Sequence, residues 1–143
     1  MLTYAIQKVG YDYQQTDPQG ATDLIAFMTA IDGFPWKEQH EEWDEQQDGP
    51  LPALVLQNEP AQRELWVTAL GYQGSWSYQL QAVSMQMHKG FFGKGKLERN
   101  AEVVDECTRG ELDRLCELFC DGQYEVFDRE VARFVQRDRE RDA

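Results

Sequence analysis

Residues 64–87 read Glu64-Leu-Trp-Val-Thr-Ala-Leu-Gly-Tyr-Gln-Gly-Ser-Trp-Ser-Tyr-Gln-Leu-Gln-Ala-Val-Ser-Met-Gln-Met87, and this stretch decides the fold. Leu65, Val67 and Ala69 alternate with Trp66, Thr68 and Leu70. Both faces are largely apolar, as in a central strand covered on both sides. Tyr72-Gln73-Gly74-Ser75 turns the chain back. Trp76, Tyr78, Leu80 and Ala82 then share one face, with Ser75, Ser77, Gln79 and Gln81 on the other. From Val83 the apolar phase passes to Val83, Met85 and Met87, which predicts a bulge near Ala82–Val83. The whole is a hairpin of two long strands turning at Gln73-Gly74.

Working toward the N-terminus, Ala53–Leu56 is a short apolar strand, followed by a turn at Asn58-Glu59-Pro60. Tyr4 and Ile6, then Val9, Tyr11 and Tyr13, alternate with a change of phase, so residues 3–13 are expected as a first strand bent near Lys8. Asp17-Pro18 has the form of a helix start, Asp capping and Pro in the first position. Leu24, Phe27, Met28 and Ile31 follow at helical spacing, predicting a helix over residues 19–31 with Gly33 as its left-handed cap.

Toward the C-terminus, His88-Lys-Gly-Phe-Phe-Gly-Lys-Gly-Lys96 is a basic second turn. Residues 97–107 suit either a last strand or an irregular crossing. Thr108-Arg-Gly-Glu111 is a capping box, and Leu112, Leu115, Cys116 and Phe119 give the helix behind it an apolar stripe. Gly122 ends that helix. Tyr124, Phe127, Val131, Phe134 and Val135 continue at helical spacing, although Tyr124–Phe127 also reads as a short strand before a helix capped by Asp128. The charged end, residues 136–143, is expected to fray. The fold class is therefore α+β: an antiparallel meander with helices on one side, in the order β-α-α-β-β-β-(β)-α-α. With no repeat and no boundary signal, its 143 residues are expected to form one domain.

The segment Phe34–Pro52, FPWKEQHEEWDEQQDGPLP, carries the strongest functional signal. It sets Glu38, Glu41, Glu42, Asp44, Glu45 and Asp48 against the single cation Lys37. Pro35 suits a first helical position. Helix over residues 36–47 puts Trp36, His40 and Trp43 on one face. His40, among so many acids, is expected to be held by carboxylates. The formal charge of −12 disfavours nucleic acid and anionic membranes and attracts basic partners. Composition, with 41% hydrophobic and 12% aromatic residues, is that of a folded globular chain. No stretch approaches the ~18–20 apolar residues of a membrane span. Three cysteines, gathered at Cys107, Cys116 and Cys120, make a poor disulfide framework. A cytoplasmic protein is expected, and MLTYAIQKVG has no signal-peptide form.

Catalytic signatures are missing. Cys116 and Cys120 stand at i, i+4, but no second close pair completes a zinc site, so packing in the core is expected and no metal or other cofactor. Neither His40 nor His88 accompanies a nucleophile elbow or a zinc-protease motif. The Trp76/Tyr78 face reads as core, with a binding platform as the other option. Gly90-Phe-Phe-Gly-Lys-Gly95 resembles the pyrophosphate loop of GNAT-type acetyltransferases, with Gly90 where that loop has Gln or Arg; this resemblance implies an acyltransferase as the alternative function.

In overall character the chain is similar to the immunity proteins with which bacteria neutralise their own secreted toxins: small, acidic, α+β and without a catalytic set. The resemblance is carried by Trp36–Asp48 and the charge. It implies a toxin partner with a basic cleft, and a partner-binding surface made of Trp36, Glu38, Glu41, Glu42, Trp43, Asp44, Glu45 and Asp48, whose carboxylates occupy the positions of substrate phosphates. A secretion adaptor, binding its client without inhibiting it, is the further alternative.

Overall fold

The computed structural model describes residues 1–72, 75–89 and 95–142. Six strands and four helices run in the order β1 (Leu2–Gln7), β2 (Asp17–Ala21), α1 (Leu24–Gly33), α2 (Trp36–Gln46), β3 (Ala53–Asn58), β4 (Arg63–Tyr72), β5 (Ser75–Lys89), β6 (Gly95–Cys107), α3 (Arg109–Cys120) and α4 (Tyr124–Asp142). The strands make one sheet in the order β2-β1-β3-β4-β5-β6, every neighbouring pair antiparallel. The α+β meander is thus the architecture, with one strand, β2, beyond those expected.

The hairpin forms as its pattern requires. β4 and β5 pair without interruption from Arg63↔Ser84 to Tyr72↔Ser75; the turn residues Gln73 and Gly74 lie outside the described residues. Gly71 is needed at this end. Its φ is +107°, and a Cβ there would stand 2.8 Å from the Ser75 carbonyl oxygen.

Strand alternation divides the side chains between two different environments. Leu54, Leu56, Leu65, Val67, Ala69, Tyr78 and Leu80 point to the helices and join Phe27, Ile31, Leu115, Phe119, Phe127 and Phe134 in one continuous core. The opposite face carries the row Val55–Trp66–Gln81–Val103, set by cross-strand register. No described helix stacks on that face. It is partly roofed by two connections, residues 8–16 and Gly49–Pro52. The buried Gln7 amide nitrogen holds the first, lying 3.2–3.3 Å from the carbonyls of Asp12, Tyr13 and Gln15, which share its two hydrogens. The Thr68 hydroxyl holds the second, donating to the Pro52 carbonyl at 3.0 Å.

Several local expectations are corrected. β1 stops at Gln7, so Val9, Tyr11 and Tyr13 belong to the roofing connection and not to a bent strand. Asp17-Pro18 opens an exposed edge strand, where proline's missing N–H faces no neighbour. The α1 cap is Asp23, whose carboxylate accepts from the Ala26 amide at 2.8 Å. Gly33 is the last helical residue, and the chain leaves through an extended Phe34 (φ −72°, ψ 138°), not a left-handed glycine. Pro35 is the residue before α2, not its first.

The phase change at Ala82–Val83 is no bulge: both faces of β5 carry apolar residues, and its ladder with β4 stays in register. The irregularity lies between β5 and β6, where Tyr78↔Cys107 and Leu80↔Val104 leave an extra residue on β6. There the Asp105 amide is capped by the buried Asp138 carboxylate of α4 at 2.8 Å.

Residues 97–107 form strand, and Tyr124–Phe127 is the first turn of α4, which stays helical to Asp142. The Thr108/Glu111 capping box is present as read.

Two glycine substitutions have opposite expected signs. Gly71→Ala, at a positive φ against backbone, lowers unfolding stability by ~1–3 kcal/mol. Gly110→Ala, in α3 with only the Thr108 hydroxyl near at 3.9 Å, raises it by ~0.5 kcal/mol. Urea denaturation of the two variants measures both.

Candidate functional site

α2 crosses one end of the sheet, and its apolar stripe decides how. Trp36 is buried (4% exposed) in the core beside Phe34, its indole N–H donating to the Ile31 carbonyl at 2.8 Å. One turn on, the His40 ring lies between Trp36 and Trp76, each 6.3 Å away between centroids, and its Nε2 bonds the Ala69 carbonyl. The neighbours that hold His40 are therefore a backbone carbonyl and two indoles, and not carboxylates as expected. Trp43, half-buried, donates to the Gly49 carbonyl at 3.1 Å and reaches the roofed face. Gln39 adds a further tie, its Oε1 accepting from the Val9 amide at 2.9 Å.

With that stripe turned inward, Glu38, Glu41, Glu42 and Glu45 fall on the far side of the helix, and Asp44 on its flank. All five, and Asp48 beyond the helix, are exposed. Among the described residues none has an ion pair. Several arginines are engaged elsewhere, as in Arg63–Asp128, Arg109–Asp32 and Arg137–Glu111. The six predicted carboxylates thus share one surface with Trp43 at its border, while Trp36 is withdrawn into the core.

That arrangement works against the helix. Glu38/Glu42 and Glu41/Glu45 are like-charge pairs at i, i+4. Asp44 and Glu45 sit at the negative end of the helix dipole, with no basic residue in the last turn. Glu38, in the first turn, suits the dipole, but local stability does not account for the acids that follow it.

Beside this helix the roofed face opens as a groove of about 950 Å³. Its floor holds Gln57, Glu64, Trp66, Thr68, Gln79 and Gln81, and its walls include Tyr13, Trp43 and Pro50. Sequence reading missed this groove. The signal available was the polar set Ser77, Gln79 and Gln81 opposite the core stripe, but pattern alone does not show which connections roof it. The option of a Trp76/Tyr78 platform closes, since Tyr78 is buried and Trp76 packs against the core.

Of the Gly90–Gly95 loop, residues 90–94 lie outside the described residues. The chain continues from Gly95 as strand β6, so no helix N-terminus follows the loop to receive a phosphate.

Cys107 and Cys116 lie in the core, and the half-buried Cys120 packs against it. Burial pushes the Cys107 thiol up to about 12, with Glu111 adding to it, and Cys120 up to about 11, with Asp121 adding. Cys116, fully buried, is raised well above the ordinary range. Among the described residues no group of three or more His, Cys, Asp or Glu side chains is placed to hold a metal ion. No described helix is long and apolar enough to cross a membrane.

No family model, no curated protein and no solved structure matches the chain.

Two outcomes follow from this geometry. Glu45→Lys replaces the repulsion from Glu41 by an attraction and favours the helix dipole, so it stabilises the isolated protein by ~0.5 kcal/mol in thermal or urea unfolding. The cysteines give a pH effect. Their folded pKa values lie above the unfolded value of 9.0, so the unfolded chain ionises first. Stability is undiminished below pH 9 and falls as pH rises from about 9 toward 12. The Cys107→Ser and Cys120→Ser variants show a smaller fall.

Proposed function

We propose that this chain is an inhibitor of the immunity-protein kind, which binds and neutralises a basic protein toxin through the acidic surface of α2. One observation carries the reading. Six exposed carboxylates are gathered on one helix and its exit, without an ion pair among the described residues, and the like-charge pairs and the acids of the last turn weaken that helix. Carboxylates that cost local stability are accounted for if a cationic partner supplies the missing charges. The −12 formal charge extends the same field over the whole molecule.

The inhibitor works by occupancy, not by catalysis. Long-range attraction brings the partner's basic cleft to α2, and the carboxylates take the positions its anionic substrate would fill. Trp43, at the border of the acidic surface, supplies aromatic contact; Trp36 and His40 fix the helix on the fold. An interior site for the reaction is not needed, because the chemistry belongs to the partner.

Growth rescue tests the proposal. The product of the adjacent reading frame is expressed in cells with and without this chain; growth arrest relieved by co-expression is expected. Reversing Glu41, Glu42 and Glu45 to Lys should slow association of the purified pair by about tenfold or more at low salt, and raised salt should shrink the difference. Trp43→Ala should act on dissociation instead, by roughly 2 kcal/mol. An association rate that ignores the triple reversal across salt would sink the reading.

A further inference from the structure

The groove behind α2 holds a carboxylate that the proposed acidic surface does not use. Glu64 stands on the groove floor, half-buried. Its Oε1 accepts from the Trp66 indole N–H at 3.2 Å and its Oε2 from the Gln57 side-chain amide at 3.3 Å. The Gln57 carbonyl oxygen accepts in turn from the Thr3 hydroxyl at 3.3 Å, which fixes the amide with its nitrogen toward Glu64. Neutral donors thus orient the carboxylate without neutralising it, and each of its oxygens retains accepting capacity. Among the described residues no cation lies within ion-pairing distance of it. A half-buried anion is worth more to an incoming cation than one on the open surface, because less water screens the pair.

The groove is also built in advance. Gln7 pins the 12–15 connection, Thr68 pins Pro52 and Trp43 pins Gly49, so the walls stand without a ligand present. Preformed walls lower the ordering cost of binding. The half-buried indole of Trp66 beside Glu64, with Trp43 in the wall, adds flat aromatic faces of the type on which a guanidinium stacks.

We infer that this groove is a receptor for an arginine side chain projecting from the basic partner, with Glu64 as its counter-ion and the Trp66 indole as the surface beside it. The inference rests on the reading of the partner as a basic protein, and it gives that partner a second, deeper point of attachment. Arginine is favoured over lysine because its planar fork matches a carboxylate and an aromatic face at once. Arg99 lines the same groove but belongs to the next cross-strand row: it pairs with Met85, whereas Glu64 pairs with Val83. Its charge at the groove's edge opposes an incoming cation, so its removal should strengthen binding.

The test uses the full chain, labelled with nitrogen-15, and two blocked tripeptides, acetyl-Ala-Arg-Ala-amide and its citrulline analogue, which keeps the shape and loses the charge. The arginine peptide should move the Trp66 indole and Gln57 side-chain amide resonances at concentrations up to about 10 mM, where a weak contact is still seen. The citrulline peptide should bind about tenfold more weakly, and Glu64→Gln should lose the same factor for the arginine peptide. Arg99→Ala should tighten binding, and should Glu64→Gln fail to fold, Glu64→Asp, which draws the carboxylate back by one methylene, should weaken binding of the arginine peptide severalfold, whereas unchanged binding overturns the receptor. No resonance movement, equal binding of both peptides, or indifference to Glu64→Gln in the folded protein overturns the receptor. This arm needs no partner, so it can fail while the acidic-helix reading stands. In the growth assay, Glu64→Gln with full rescue and unchanged dissociation overturns the arginine receptor, whereas failure of the α2 reversal alone bears on the acidic surface.

Discussion

The described helices cover one face of the sheet, and most of the molecule follows from that. Alternation along the strands makes each of them two-sided. One side, Leu54 to Leu80, meets the helices in a continuous core. The other has only two connections lying over part of it. That second face cannot be a bare apolar surface, so it is furnished with Gln57, Thr68, Gln79 and Gln81 among its aromatic and aliphatic residues. A polar, half-roofed sheet face is what makes a groove available in so small a protein.

The same asymmetry explains the buried polar groups. Gln7 and Thr68 are buried because the backbone of the connections above them has no ladder to join. A side-chain amide supplying donors to three carbonyls, and a hydroxyl supplying one to Pro52, replace the missing strand partner. Asp138 does the same for the Asp105 amide at the β6 irregularity. Where regular pairing stops, a buried polar side chain takes its place, and two of the three such sites border the groove.

α2 joins the two sides. Trp36 is anchored in the core, Trp43 reaches the groove, and His40 ties the middle to the end of β4. A helix fastened by three rings can carry an outer surface unfavourable to itself, since tertiary packing supplies most of a helix's stability. The carboxylates are then free to be selected for something other than the helix. Attraction at long range through α2 and a particular contact in the groove would divide the work of recognition between rate and residence.

The sequence by itself determined the elements with strong, local signatures. The β4–β5 hairpin was legible because both arms carry period-two patterns bounded by turn residues, and α3 because Thr108 and Glu111 close a capping box within four residues. The inward stripe Trp36–His40–Trp43 and the exposed acids of α2 were legible for the same reason: helical spacing sorts them without reference to any other segment. Tertiary structure alone decided what depended on distant partners. Tyr13 belongs to a roofing connection because Gln7 holds the backbone there, and no local pattern separates that from a strand. Asp17-Pro18 is an edge strand because β1 lies beside it, although its local chemistry is that of a helix start. Glu64, one acid among 26 Asp and Glu residues, acquires its setting from Gln57 and Trp66. Pairing between strands is long-range and weakly encoded residue by residue. The groove is made of such pairings, so it exists only once the sheet is assembled.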